Sequence, residues 1–286
     1  MELKHIAGRE GRLSSFLRGE MELSAGLMNR LKWQEKLLVN GKPEHTDYSV
    51  KVGDEISVLL DAPAPEYPAQ QGALEILYED DCFLAVEKPA GMLIHPSRSC
   101  FTGTLANFVM GYYEKTGQSC AFHPITRLDR DTFGVVLLAK NAHMHSVMQK
   151  ISLQKTYHAL VFGCPELPSG VIDAPIARKP LPSLLREISA QGKPSVTKYE
   201  ILRRQGPFTL LSLCPVTGRT HQLRLHCAYA GFPILGDPQY GTDRTGEISE
   251  KLGLSHQRLC AKAVSFSHPV TGQRIEIVSH QTASLE

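Results

Sequence analysis

RLDRDTFGVVLLA, residues 127–139, sets two arginines and two carboxylates within five positions, then Thr, Phe and Gly, then an unbroken apolar run. The run predicts a strand over Val135–Ala139 with a charged loop at its mouth. Such a loop can hold a functional acid, although alternating charge by itself fits a solvated loop equally well. Outward from it, Leu74–Tyr78 and Cys82–Val86 flank Glu79-Asp80-Asp81 and predict a hairpin. Tyr157–Phe162 predicts another strand, with a helix starting near Asn141 in between. Ser195–Arg204 and Phe208–Cys214 meet at Gln205-Gly206-Pro207 as a second hairpin, and Thr220–Ala230 predicts a helix stopped by Gly231. Hairpins without regular strand–helix alternation give an α+β body rather than a doubly wound sheet. No glycine-rich phosphate loop of standard spacing is present.

The 286 residues are 42% apolar and 21% charged, enough for one sizeable core and a small second module. Collagen-like, disordered and disulfide-scaffold chains are thereby excluded. Residues 1–20 hold no apolar signal core, and no apolar run approaches the ~18–20 residues of a membrane span, so a soluble, cytoplasmic protein is expected, without a membrane partner. Seven widely spaced cysteines, with no CxxC pair and no clustered Cys/His pattern, fit reduced thiols and no metal. A net charge of +2 names no partner, so any polyanion site must come from local clustering.

DAPAPEYPAQQG, residues 61–72, is the clearest break in composition. It divides the chain into a module at 1–61, a linker at 62–72 and a body at 73–286. In the module, Leu13–Gly19 and Ser24–Lys36 predict two helices, the second capped by Ser24, followed by a hairpin turning at Asn40-Gly41. Arg12, Arg18, Arg30 and Lys32 fall in or beside the helices, a pattern that a plain solvated surface also explains; Trp33 is expected to pack within its helix. RLSSFLR at 12–18, SAGLMNRLKWQEKLLVNGK at 24–42 and VKVGDEI at 50–56 resemble the S4 RNA-binding module. The resemblance implies sequence-independent contacts from these cations to the phosphates of structured RNA.

A second charged segment, TGRTHQLRLH at 217–226, puts Arg219 in a turn and His221, Gln222, Arg224, Leu225 and His226 at a helix start. A helix N-terminus carrying extra arginine is a natural anion site, and a basic exposed helix end is the plainer explanation.

Taken together, RLDRDTFG at 127–134, KTYHALVFG at 155–163, PVTGRTHQLRLH at 215–226, GFPILGDPQYG at 231–241 and RLCAKAVSFSHPVTG at 258–272 resemble the RluA family of pseudouridine synthases. ILYEDDCFLAVEKPAGMLIHPS at 76–97 fits as well, and the motifs run in family order through residues 73–286. The resemblance implies a mixed, mainly antiparallel catalytic sheet and an enzyme that isomerises uridine in RNA without cofactor or metal. Uracil must leave C1′ through N1, turn, and reattach through C5, so the chemistry calls for a carboxylate acting as nucleophile or base at the sugar.

By position in these motifs, Asp129 matches the catalytic aspartate, and Arg224 matches the residue that ion-pairs with it and keeps it charged once solvent is excluded. Tyr157 matches the active-site tyrosine, whose ring can stack on uracil and whose hydroxyl could take the C2′ proton if a glycal forms. Arg127 matches a residue able to fill the stack vacated by an everted uridine. Arg130, Arg219 and His221 join it as RNA-binding candidates, with Arg178, Lys179, Arg203 and Arg204 as further cleft cations. Two departures stand out: Thr126 where the family has His, and Phe133 where it has Ser. Asp131 is expected to brace the loop, capping a backbone N–H. Rival readings are a non-catalytic RNA-binding factor and a glycosidase using Asp129 with Asp131. The expected partner is structured RNA, ribosomal first and transfer RNA second, and the expected state is a monomer.

Overall fold

A computed structural model of the chain describes residues 2–60, 67–97, 100–180, 182–183 and 185–285. The stretch 61–66, which holds most of the proline-rich segment, lies outside the described residues.

The N-terminal unit runs β1 (Glu2–Ile6), β2 (Gly11–Arg12), α1 (Leu13–Gly19), α2 (Ala25–Trp33), β3 (Leu37–Val39), β4 (Lys42–Pro43), β5 (Ser49–Val50) and β6 (Glu55–Leu59). Ser24 caps α2 as expected, its hydroxyl accepting from Leu27 N. Asn40 and Gly41 both have positive φ, 50° and 77°, as a two-residue hairpin turn demands. The sequence reading omitted β1, which pairs antiparallel with β6 and closes a sheet of order β1-β6-β3-β4. Its pattern ELKHI alternates, but Glu2, Lys4 and Ile6 are all exposed and Leu3 is the one buried residue, too little apolar signal to mark a strand. Trp33 departs from its expected packing role: it is 78% exposed, with Lys32 Nζ 5.3 Å from its ring. Met28 and Leu31 supply the buried face of α2 instead.

The body comprises β7 (Glu75–Glu79), β8 (Phe83–Lys88), α3 (Leu105–Lys115), β9 (His123–Pro124), β10 (Phe133–Ala139), α4 (Ala142–Met148), β11 (Gln154–Phe162), β12 (Ser169–Asp173), β13 (Ile176–Arg178), β14 (Arg186–Ile188), β15 (Val196–Gln205), β16 (Phe208–Pro215), α5 (Gln222–Tyr229), α6 (Asp243–Lys251), β17 (Leu259–Ser267) and β18 (Arg274–Val278). Ten strands form one mixed sheet along the path β12-β15-β16-β11-β17-β10-β8-β7, with β9 and β18 attached to β10 and β17. Every pairing is antiparallel except β10 with β17.

β10 is buried at all seven positions because both of its faces are covered. Val135, Leu137 and Ala139 join a core that reaches α4 and the N-terminal Phe16 and Leu17, whereas Val136 and Leu138 face Leu105, Val109 and Met110 of α3. The N-terminal unit therefore shares its core with the body. Residues 67–72 also run along α3: Asn107 donates to Pro68 O, and Gln71 donates to Gly111 O. β11 and β16 carry a further core with Leu223 and Cys227 of α5.

The parallel contact Gly134↔Ala261 is tight. Gly134 has φ +108°, and a Cβ there would lie 2.4 Å from Ala261 O. Gly134→Ala is expected to cost at least ~3 kcal/mol, combining backbone strain with a clash against main chain. Urea unfolding of the variant beside the wild type measures it.

Candidate active site

The loop preceding β10 places Asp129 at a partly open cleft, and α5 brings Arg224 to it. Arg224 Nη1 donates to Asp129 Oδ2 at 3.2 Å. The same guanidinium makes a two-pronged pair with Asp237, Nε to Oδ2 and Nη2 to Oδ1, both 2.7 Å, and Nη2 also donates to Gln239 Oε1 at 2.9 Å. Tyr240 covers it, ring centre 5.1 Å from the guanidinium carbon. Burial works against the charge, but the two carboxylates outweigh it, and Arg224 is held above its ordinary pKa.

The turn before α5 differs from expectation. His221 is not in the helix: it is the N-cap residue, in the left-handed region at φ 57°, and α5 begins at Gln222. Gln222 fixes this turn with all of its amide: Oε1 accepts from Thr217 Oγ1 and Arg219 N, while Nε2 donates to Val196 O and Thr197 Oγ1. The irregular conformation turns His221 toward the cleft, with Nε2 3.9 Å from Asp129 Oδ2. Its Nδ1 is 2.8 Å from Tyr240 Oη, and that oxygen accepts from Arg186 N at 2.9 Å. These contacts hold the imidazole ring with Nε2 facing Asp129. Burial first, then Arg224 and Arg186, lower the His221 pKa against the pull of Asp129.

Tyr157 enters from β11, where it pairs with Leu213 and Ala261 next to a register shift at Thr156. Burial, with a smaller contribution from the Asp129 charge, pushes its hydroxyl up to about 12. Asp129, Arg224 and Tyr157 thus meet at one place, as do His221 and, by its backbone, Arg130. Arg127 is exposed and borders a cavity of about 490 Å³ also lined by Tyr67, Phe122, His123 and His145. Arg219 is exposed beside the turn, its Nε donating to Pro194 O. Arg12, Arg18, Arg30 and Lys32 lie on the N-terminal unit and not in the Asp129 cluster; the first three are exposed.

Lys88 was missed by the sequence reading. It is fully buried, and its ammonium donates to Pro89 O, Met92 O and Arg130 O at 2.8–2.9 Å, tying the Asp129 loop to the turn after β8. Arg130 Nε adds a bond to Gly91 O. Asp131 acts on this lysine through its charge and not as the expected cap. Burial lowers Lys88 to about 8, with Asp131 and Asp129 opposing. The signal was ordinary: a lysine ending an apolar strand looks like a surface terminus. Asp237, in Gly-Asp-Pro, likewise reads as a turn residue.

The departures at 126 and 133 are housed locally. Thr126 Oγ1 accepts from Leu137 N, and Phe133 packs against Cys260, Ala283 and the flat face of Arg258. Two clusters among the described residues have metal-type donors: Asp80, Cys82 and His268, and Glu75, Glu87 and His280. The Asp80 carboxylate already accepts from Tyr78 Oη, Cys82 N and Phe83 N and faces His268 Nε2, while His268 Nδ1 accepts from Val270 N and Thr271 N. Glu87 likewise accepts from Ser279 Oγ, Gln281 Nε2 and His280 N.

Two outcomes follow from this geometry. Arg224→Met is expected to cost ~3–5 kcal/mol in urea unfolding, because the Asp237 side chain, 1% exposed, is left charged and unpaired. The double variant Arg224→Met/Asp237→Asn, which removes the charge and keeps an oxygen for Gln239 N and Tyr240 N, should recover part of that loss. Lys88 supplies three N–H donors to three carbonyls only while protonated, so kcat should fall several-fold as pH rises through about 8. Unfolding does not explain such a fall: the folded pKa lies below the unfolded value of about 10.4, so raising the pH from 8 to 10.4 favours the folded chain as far as Lys88 is concerned. A pH–rate profile taken beside a pH–stability profile checks both signs.

Comparison with known proteins adds to the site. The profile of the RNA pseudouridylate synthase family matches residues 82–229. The chain is 36% identical over 249 residues to the Bacillus subtilis protein described as uncharacterized RNA pseudouridine synthase YlyB, covering 84% of this chain and 80% of that one. It is 30% identical over 291 residues to ribosomal large subunit pseudouridine synthase C of Vibrio cholerae, covering 96% and 91%. Among solved structures, human RNA pseudouridylate synthase domain containing 1 superimposes with a TM-score of 0.61 at 25% identity, over 75% of this chain and 86% of the other.

Proposed function

The chain belongs to the RNA pseudouridylate synthase family and is an RNA pseudouridine synthase, and we propose that it acts on large-subunit ribosomal RNA with Asp129 as its catalytic carboxylate. The observation that carries the assignment of Asp129 is its pairing with Arg224, itself clamped from the other side by Asp237. The target uridine is everted from the RNA into the cleft, since C1′ and the base edge are out of reach in a stack. Asp129 attacks C1′, the N1–C1′ bond breaks and its electron pair leaves with uracil. The base then turns, C5 bonds to C1′ as the carboxylate departs, and the C5 proton is lost to solvent as N1 regains one. Atoms and electrons balance without an external donor.

Tyr157 stacks on the base and donates a hydrogen bond. A hydroxyl held at about 12 keeps its proton near neutrality, so if the reaction runs through a glycal, Asp129 is the better base at C2′. Arg127 fills the vacated stack from the exposed side of the loop, and Arg130, Arg219 and His221 flank the RNA path. The N-terminal unit, residues 1–61, serves as an S4-like RNA-binding module, and the exposure of Arg12 just before α1, of Arg18 on α1 and of Arg30 on α2 supports that role.

Incubation with transcribed large-subunit rRNA, read by nucleoside mass spectrometry, separates the alternatives. A synthase leaves the RNA mass unchanged and alters its fragmentation, a glycosidase releases uracil, and a binding factor does neither. Asp129→Asn is expected to abolish isomerisation while RNA affinity stays within a few-fold. Equal loss of binding and turnover would count against the assignment, and conversion of transfer RNA alone would move the substrate.

A further inference from the structure

Residues 279–284, near the end of the chain, cross the root of the Asp129 loop as a strap. In the sheet, β10 lies between β17 and β8, and the strap bonds to both of these flanking strands. On the β17 side, Lys262 Nζ donates to Ser279 O at 2.6 Å and to Gln281 O at 3.1 Å, and Arg258, just ahead of the strand, donates from Nη2 to Ser284 O. On the β8 side, Ser279 Oγ, His280 N and Gln281 Nε2 donate to the Glu87 carboxylate at 2.8–3.0 Å. Glu87 is 4% exposed, and these three are the hydrogen-bond donors its carboxylate meets among the described residues. Without the strap, a buried charge would be left unsatisfied.

Between those two anchorages the strap meets the first residue of β10. Ala283 is fully buried and packs on Phe133 and Cys260, with Ala90 and Leu210 beside them. His256 meets the Phe133 ring edge-on, ring centres 6.1 Å apart, and Gln257 Nε2 donates to Thr132 Oγ1 at 3.0 Å. The bulky ring that departs from the family pattern at 133 is thus enclosed, with the small side chain of Ala283 against it. The strap reaches the loop by two routes: Ala283 bears on Phe133, and Glu87 adjoins Lys88, whose ammonium holds Arg130 O. Ala261 of β17 pairs with Gly134 on one side and with Tyr157 on the other, so the same frame spaces the loop from the tyrosine.

We propose that the strap at 279–284 sets the position of Asp129, through the packing of Ala283 on Phe133 and through the bonds of Ser279, His280 and Gln281 to Glu87. The proposal rests on the synthase reading above. Ala283, Gln281 and Phe133 touch none of the reacting atoms and are positioning residues. A close-packed interior passes a displacement on, so one or two carbons added at 283 are felt in the loop. A carboxylate moved by about 1 Å from its line of attack on C1′ loses rate, while the cations that hold the RNA keep their places.

The test pairs single-turnover kinetics on transcribed large-subunit rRNA with hydrogen exchange of the peptide spanning residues 126–134. Ala283→Val overfills the contact and Phe133→Val empties it; each is expected to slow the rate at saturating RNA about tenfold, with RNA affinity within about twofold of the wild type. Both should speed exchange in 126–134. The double variant conserves the summed volume and should return the rate to within about threefold of the wild type. Gln281→Ala, which takes one donor from Glu87 and adds no bulk, should slow the rate and speed exchange in the same direction. Val147→Ala, which trims a buried residue of α4, should lower the urea midpoint and leave both readouts as in the wild type. Unchanged rates in Ala283→Val and Gln281→Ala, a double variant as slow as the product of its singles, a loss carried by affinity, or an equal slowing in Val147→Ala would each overturn the strap. If Ala283→Val fails to fold, Gln281→Ala and Phe133→Val carry the same comparison. Wild-type protein that converts none of the RNA counts against the functional reading alone; exchange then decides, and protection of 126–134 unchanged in the variants would overturn the strap.

Discussion

Arg224 is the point through which the site is held together. One buried guanidinium serves two carboxylates of unequal standing: Asp237 takes two of its N–H groups in short, sealed bonds, and Asp129 takes a third at the edge of the cleft. The division matters physically. A buried pair is costly to assemble and more costly to break, so Asp237 fixes where the positive charge sits, and Asp129 receives that charge without having to hold it. Gln239 and Tyr240 complete the enclosure, which leaves the cation little freedom to follow a substrate or solvent.

The fold delivers the two halves of this pair from opposite directions. Asp129 comes from the loop ahead of β10, the strand covered on both faces, and the buried ammonium of Lys88 ties that loop to the turn after β8 through three carbonyls. Arg224 comes from α5, whose start is set by the fully committed amide of Gln222 and by the left-handed backbone of His221. Tyr157 arrives on β11, which β17 separates from β10 in the sheet. Asp129 and Arg224 thus project from segments anchored by buried polar atoms, whereas Arg127 and Arg219 stand exposed outside them.

Much of this was legible in the residues. The charged loop before an apolar run, the hairpins around Asp80 and Gly206, and the basic segment at 217–226 gave the α+β body, and the order of the motifs gave the family. The rest was hidden for identifiable reasons. Helix α6 is a polar surface helix with little apolar signal, and α3 begins among glycines and threonines. His221 looked helical because spacing carries no information about a left-handed cap. Lys88 and Asp237 have the residue types of a surface, and only the tertiary structure shows that each is sealed and paired. Trp33, assigned to packing for its size, lies on the open face of α2 because Met28 and Leu31 already fill the core beneath it. The β13–β14 hairpin offered no sequence signal beyond single arginines.

The most direct measurement is a pseudouridine map of total RNA from cells lacking this chain, complemented with wild-type protein or with the Asp129→Asn form. The account predicts that at least one pseudouridine in large-subunit rRNA disappears without the chain, returns with the wild type and stays absent with Asp129→Asn. A map unchanged by loss of the chain, or a site restored by the asparagine form, would contradict it.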